Sequence, residues 1–128
     1  MAFSLDEAPA VYLKEEAKDC VGIIEKMEQI AAGYTEDGRP MYEFQMSIKI
    51  VSPEEHYGKI INKIKFSKPG PLWILAKAIR ILKESGGINY ETFCSEAIQG
   101  AFKFDYLTNE KNPKYKNVVH IRPYEVAF

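Results

Sequence analysis

Residues 41–51, MYEFQMSIKIV, alternate apolar and polar side chains almost without a break, and this pattern constrains the fold more than any other segment. Tyr42, Phe44, Met46, Ile48 and Ile50 fall on one face of an extended chain, and Glu43, Gln45, Ser47 and Lys49 on the other. A period of two belongs to a half-buried antiparallel strand, because a helix would spread these side chains around its whole circumference. Such a strand needs partners, and the flanking sequence supplies them. CVGIIEKMEQI, residues 20–30, is rich in β-branched residues and has Gly22 near its start, which suits a long strand with a bend or bulge. GYTEDGRP links the two, with Asp37-Gly38 as the turn signal. After the turn SPEEHYG, KIINKIKFS reads as a third strand. Ile60, Ile64 and Phe66 face one way there, and Lys59, Ile61, Lys63 and Lys65 the other.

KPGP ends the meander. LWILAKAIRILKES then predicts a helix, with Pro71 at a first-turn position where a missing N–H costs nothing. Leu72, Leu75, Ala76, Ile79 and Leu82 form its buried stripe, and Gly86-Gly87 is the expected stop. INYETFCSEA reads as a turn or one-turn helix capped at Asn89. AIQGAFKFDYL and NVVHIRPYEV are the fourth and fifth strands, with Val119 and Ile121 expected inward and His120 and Arg122 outward. The order β-β-β-α-β-β predicts a mostly β fold: a five-stranded OB-type barrel with one α-helix between strands 3 and 4. The rival is an open α+β sheet with the helix across one face. The long glycine-bent first strand favours the barrel. Residues 1–19 read as a lead-in docking through Val11, Tyr12 and Leu13, and residues 20–128 as a single domain without repeats or linkers.

Composition narrows the function classes. An apolar fraction of 46% and a charged fraction of 27% in 128 residues describe an ordinary globule that needs no metal or disulfide to hold it together. Cys20 and Cys94 lie far apart with no metal-ligand spacing, as expected for reduced thiols. The N-terminal residues lack the basic and apolar regions of a secretory signal, and the longest apolar run, residues 71–76, is too short for a bilayer. A soluble cytoplasmic protein with no membrane partner is the expectation. His56 and His120 begin no metal-ligand pattern and read as turn or surface residues. No nucleophile elbow or glycine-rich phosphate loop occurs, and the carboxylates sit on turns and in the lead-in. The chain is therefore expected not to be an enzyme, with no catalytic residue, metal or cofactor.

A binding role is better supplied. The net charge is only −1, but residues 1–64 carry 12 acidic and 7 basic side chains, whereas residues 65–128 carry 6 acidic and 10 basic. That asymmetry permits a basic face on a neutral protein. Single-stranded nucleic acid is held by cations along its phosphates and aromatic faces under its bases, each stack worth ~1–3 kcal/mol. Lys59, Lys63 and Lys65 are expected to emerge from one side of strand three, with Lys49 beside them and Lys103 and Arg122 extending the patch. Lys114, Tyr115 and Lys116 interleave cations with a ring in the loop between strands four and five. Tyr57 and Tyr106, together with Tyr34 and Tyr115, are the stacking candidates; Tyr42, Phe44, Phe102 and Phe104 read as core. A lysine row on an exposed strand has a second explanation, protection of a sheet edge against aggregation.

The arrangement resembles phage- and prophage-encoded single-stranded DNA-binding proteins of OB fold. The resemblance rests on CVGIIEKMEQI, MYEFQMSIKI, KIINKIKFS running into LWILAKAIRILKES, then AIQGAFKFDY and KNVVHIRPYE, with Gly100 opening the fourth strand and Asn117 preceding the fifth. It spans roughly residues 20–125 and is one of architecture more than motif. It implies sequence-independent binding of single-stranded DNA, with RNA admitted as an alternative ligand, in replication, recombination or repair of a phage or mobile element. Homo-oligomers and replication or recombination proteins are the further partners it implies. Many such proteins end in an acidic tail that recruits those partners. Here the last residues are RPYEVAF, with Glu125 as their single acid and Phe128 at the end, a departure that puts recruitment by an acidic tail in doubt and leaves insertion of Phe128 into a partner as the alternative. The competing expectation is a non-enzymatic protein-interaction module that uses a strand edge or the helix.

Overall fold

The structure is a computed structural model that describes residues 10–34, 36–82 and 87–124. Its strands are β1 (Ala17–Tyr34), β2 (Pro40–Ser52), β3 (Ile60–Phe66), β4 (Ala101–Thr108) and β5 (Lys116–Pro123). Two helices, α1 (Pro69–Ala78) and α2 (Phe93–Ala97), lie in the chain between β3 and β4. The strands form one antiparallel sheet in the order β3-β2-β1-β4-β5, curled into a half-barrel.

The alternation in β2 becomes the inner wall. Phe44, Met46, Ile48 and Ile50 are fully buried; the side chain of Tyr42 lies outside the described residues. Phe102 and Phe104 of β4 close against them, and Phe93 of α2 meets Phe44 edge-on at 5.1 Å. Each such ring contributes ~1.5–3 kcal/mol by leaving water. β1 pairs with both β2 and β4, and Gly22 is where it passes closest to the core: a Cβ there would lie 2.9 Å from Cε1 of Phe104. β1 begins at Ala17, earlier than Cys20, and the lead-in is tied down just before it. Leu13 is buried, its N–H donates to the carbonyl of Ile60, and the Ile60 N–H donates to Val11. Val11 and Tyr12 themselves stay exposed, so the docking runs through Leu13 and the backbone.

Three expectations need correction. In β3, Asn62 and Lys63 together oppose Ser47, forming a bulge with Lys63 in the left-handed region at φ 56°. The bulge shifts the phase, so Ile61 is buried in the core and does not share the face of the lysines. In β5, His120 and Ile121 oppose Phe104, with His120 at φ 55°, and Val118 rather than Val119 packs with Ile121 against the core. The helix α1 also stops earlier than the apolar stripe implies. Arg80 takes φ 62°, its N–H donates to the carbonyl of Lys77, and the Ile81 N–H reaches the carbonyl of Ala76. This is a Schellman ending with arginine in the glycine position. Gly86 lies outside the described residues, so the expected glycine stop is only half within view. Asn89 accepts the Glu91 N–H in the turn preceding α2, while the helix itself starts after Thr92.

Candidate nucleic-acid interface

β3 and β5 are the two edges of the sheet, and a groove lies between them. This groove has a volume of about 580 Å³ and is lined by every residue from Ile61 to Phe66 on one edge and from Lys116 to Ile121 on the other. Tyr106 reaches it from β4, and Pro71 and Ile74 reach it from α1. Lining by unbroken runs of both strands means that the groove meets their backbone edges as well as their side chains. At ~3.3 Å per residue, six residues of strand make it ~20 Å long.

Four of the residues singled out in the sequence meet here: Lys63, Lys65, Tyr106 and Lys116. Each arrives by a different route. Lys63 is turned by the β3 bulge, whose backbone is held by Asn62: its Oδ1 accepts the Lys63 N–H at 2.9 Å and the Ser47 hydroxyl at 2.5 Å. Lys65 stands on the regular part of β3 opposite Gln45 and is exposed. Lys116 opens β5 opposite Thr108. Tyr106 is half-buried against the core, and burial pushes its phenol above the ordinary tyrosine range, keeping it a neutral donor. Among the described residues, no aspartate or glutamate lines the groove.

Lys114 and Tyr115 stand just before Lys116, in the β4–β5 loop, and both are exposed. The loop is internally braced. Asn109 Oδ1 accepts the N–H groups of Lys111 and Asn112, and Tyr115 is bonded through both its N–H and its carbonyl, to Asn112 and Asn109. The Tyr115 backbone is thus fixed while its ring faces water, an arrangement suited to stacking.

The other expected site residues fall elsewhere. Lys49 and Tyr57 share a separate depression of about 300 Å³ with Ile23, Glu25 and Gln99. Lys59 is neutralised: its ammonium sits 3.1 Å from Nδ1 of His56 and 3.8 Å from a Glu15 carboxylate oxygen. His56 lies in a single 3-10 turn, Glu54–His56, as expected of a turn residue, and is buried there. Arg122 is paired with Asp19 at 2.5 Å and Asp105 at 3.4 Å, and Lys103 lies beside it in register, outside the groove.

Sequence reasoning gave no ligand role to Asn62, Ile74, Asn117 or His120, all of which line the groove. His120 is half-signalled by its alternation with Arg122, but the bulge that moves it has no sequence mark. It donates to Oδ2 of Asp105 at 2.7 Å. Asp105 is held below the usual carboxylate range chiefly by the Asp19 N–H donating to its Oδ1, with His120 and Arg122 adding to the effect against the cost of burial. Cys20 is buried and its thiol is pushed up to about 11 by burial and then by the charges of Asp105 and Asp19, so it is unreactive at neutral pH. Among the described residues no three metal-ligating side chains converge, and no helix is long and apolar enough to cross a membrane.

No known family, curated protein or solved structure matches this chain.

Proposed function

We propose that the protein binds single-stranded DNA without sequence preference, along the groove between β3 and β5, in replication, recombination or repair of a phage or mobile element. The observation that carries this reading is the charge of the groove. In a chain with net charge −1 and 18 acidic residues, the groove gathers three lysines and, among the described residues, no carboxylate. Lys63 and Lys65 are two residues apart on one wall and Lys116 stands on the other, so cations flank a single extended polyanion. Tyr106 offers a ring within the groove, and Lys114 and Tyr115 extend it at one end. Lys59 and Arg122, already neutralised by carboxylates, are not part of the proposed contact, nor are Lys49, Tyr57 and Lys103.

The strand order supports an OB reading of the fold. An OB barrel runs cyclically 1-2-3-5-4, and the sheet β3-β2-β1-β4-β5 is that cycle opened between strands 3 and 5. RNA would find the same cations and rings, so DNA preference rests on the family resemblance alone.

A second reading draws on one specific observation. β3 and β5 are the outer strands of the sheet and both line the groove, where an extended peptide could pair with them by strand addition. Fluorescence titration with poly(dT) at two salt concentrations separates the two. Binding at low salt that weakens steeply with added salt, accompanied by tyrosine quenching, supports the DNA reading. No binding at low salt refutes it and leaves the peptide reading.

A further inference from the structure

We propose that His120 is a proton-linked anion contact of this groove, so that a single strand is held more tightly when the imidazole carries its proton. The inference rests on the DNA reading above and adds to it a residue and a dependence that the lysines alone do not have.

The geometry is specific. β5 departs from regular pairing at His120, which takes a left-handed backbone at φ 55°. Histidine is among the few residues that enter this region with any frequency. The bulge places His120 in the lining of the groove, with the ring two-thirds exposed and Nδ1 2.7 Å from Oδ2 of Asp105. An ionised carboxylate can only accept, so Nδ1 carries the hydrogen and Nε2 is the nitrogen that gains or loses a proton. Imidazole is the side chain that ordinarily changes charge between pH 5 and 8. Asp105 keeps its own charge across that window, because three donors hold its carboxyl below the usual range.

Among the described residues, the charged groups at the groove and at the His120–Asp105 pair come from four elements. From β4 comes Asp105; from β5, Arg122, whose guanidinium donates to the His120 carbonyl at 2.8 Å, and Lys116; from β1, Asp19, which is committed to Arg122. From β3, Lys63 and Lys65 line the same groove, and α1 contributes only the uncharged Pro71 and Ile74. At neutral charge His120 is thus flanked by one carboxylate behind it and lysines around the groove. Protonation adds one positive charge beside the Asp105 carboxylate and leaves the Nε2–H pointing away from it, in a groove whose described lining residues include no acid. The gain is a charge-assisted hydrogen bond to a phosphate oxygen and one more neutralised phosphate.

The test is anisotropy titration of a labelled oligo(dT) with the full chain at pH 5.5 and 8.0, each at several salt concentrations. The expected result is affinity roughly threefold to tenfold higher at pH 5.5, with the slope of log affinity against log salt steeper by about 0.7. In His120→Asn, whose residue also tolerates the left-handed backbone, the ratio of the two affinities should fall to about one. Independently of any variant, the NMR titration of the His120 ring should move to higher pH when oligo(dT) is added, by reciprocity, while that of His56 stays in place. Binding that is equal at both pH values, or a rise that survives in His120→Asn, or a His120 titration unmoved by oligo(dT), overturns this inference alone. Absence of binding at either pH in low salt overturns the DNA reading itself.

Discussion

Gly22→Ala tests whether β1 truly bends against the core. A Cβ at this position would sit 2.9 Å from Cε1 of Phe104 and 3.4 Å from Cδ1 of Ile48. Carbon atoms attract best at about 3.5–4.0 Å, so the first contact is strongly repulsive. Phe104 has no easy retreat: it is fully buried, and its ring packs against Phe102 at 5.4 Å between centroids. Overpacking of this kind costs ~1–3 kcal/mol, and a cost of ~2 is reasonable where the clashing group is a pinned ring. With an unfolding entropy of ~2.1 cal/mol/K per residue, the 128-residue chain should lose about 7 °C in Tm. Gly33→Ala on the same strand is the control, because a Cβ there meets nothing within 4 Å. It should melt within about 2 °C of the parent or slightly above it, since alanine restricts the unfolded chain. Thermal melts followed by circular dichroism read both. If Gly22→Ala melts with the parent, β1 does not pass Phe104 at this distance, and the explanation of its bend by a bare backbone is refuted.

Three further outcomes follow from the same geometry. If three groove lysines neutralise phosphates, the log–log salt slope should be about −2, an affinity loss of roughly 20-fold from 50 to 200 mM salt; Lys65→Ala should reduce the slope to about −1.4 and the loss to roughly sevenfold. Asp105 has a depressed folded-state pKa, so the stability it contributes is present above the unfolded carboxylate value near ~4 and is lost as pH falls through the folded value. Asp105→Asn should therefore be less stable than the parent at pH 7, by ~1–3 kcal/mol in urea, yet lose less on acidification from pH 5 to 2. Arg80→Gly places the preferred residue at the left-handed end of α1 and should raise stability by ~1 kcal/mol, read as an increase of roughly 3–4 °C in Tm.

What could be read from the sequence was whatever obeyed a single period. β2 alternates for its whole described length and its apolar face is buried as expected. β3 and β5 begin with the same alternation, but each contains one residue in the left-handed region that is not glycine. A one-residue insertion exchanges the faces beyond it, which is why Ile61 is found in the core and Val118 replaces Val119. Nothing in KIINKIKFS marks Lys63 as such a residue. The apolar stripe of α1 likewise continues through Ile79 and Leu82, although the helix has already ended, because both residues pack against the core from a turn. The neutralisation of Arg122 by Asp19 joins groups 103 residues apart, a relation visible only once β1 and β5 both flank β4.

The two irregularities stand on opposite walls of the groove, and each directs a nitrogen-bearing side chain into its lining. Bulges concentrate where a strand must re-aim a side chain, so the local exceptions to the fold coincide with the proposed site. This has a consequence that no lysine substitution can test. Asn62 holds the β3 bulge by accepting the Lys63 N–H and the Ser47 hydroxyl, so Asn62→Ala removes the side-chain support for the left-handed Lys63. Burial of Ile61 and Phe66 on either side keeps the register, so the bulge stays but loses the bond that fixes the Lys63 backbone. Lys63 would then lose its set direction into the groove while every cation in the sequence remains. The salt slope should fall by about 0.7, as if one lysine had been deleted, with circular dichroism reporting an intact sheet. An unchanged slope in the folded variant would mean that the bulge does not deliver Lys63 to the bound strand.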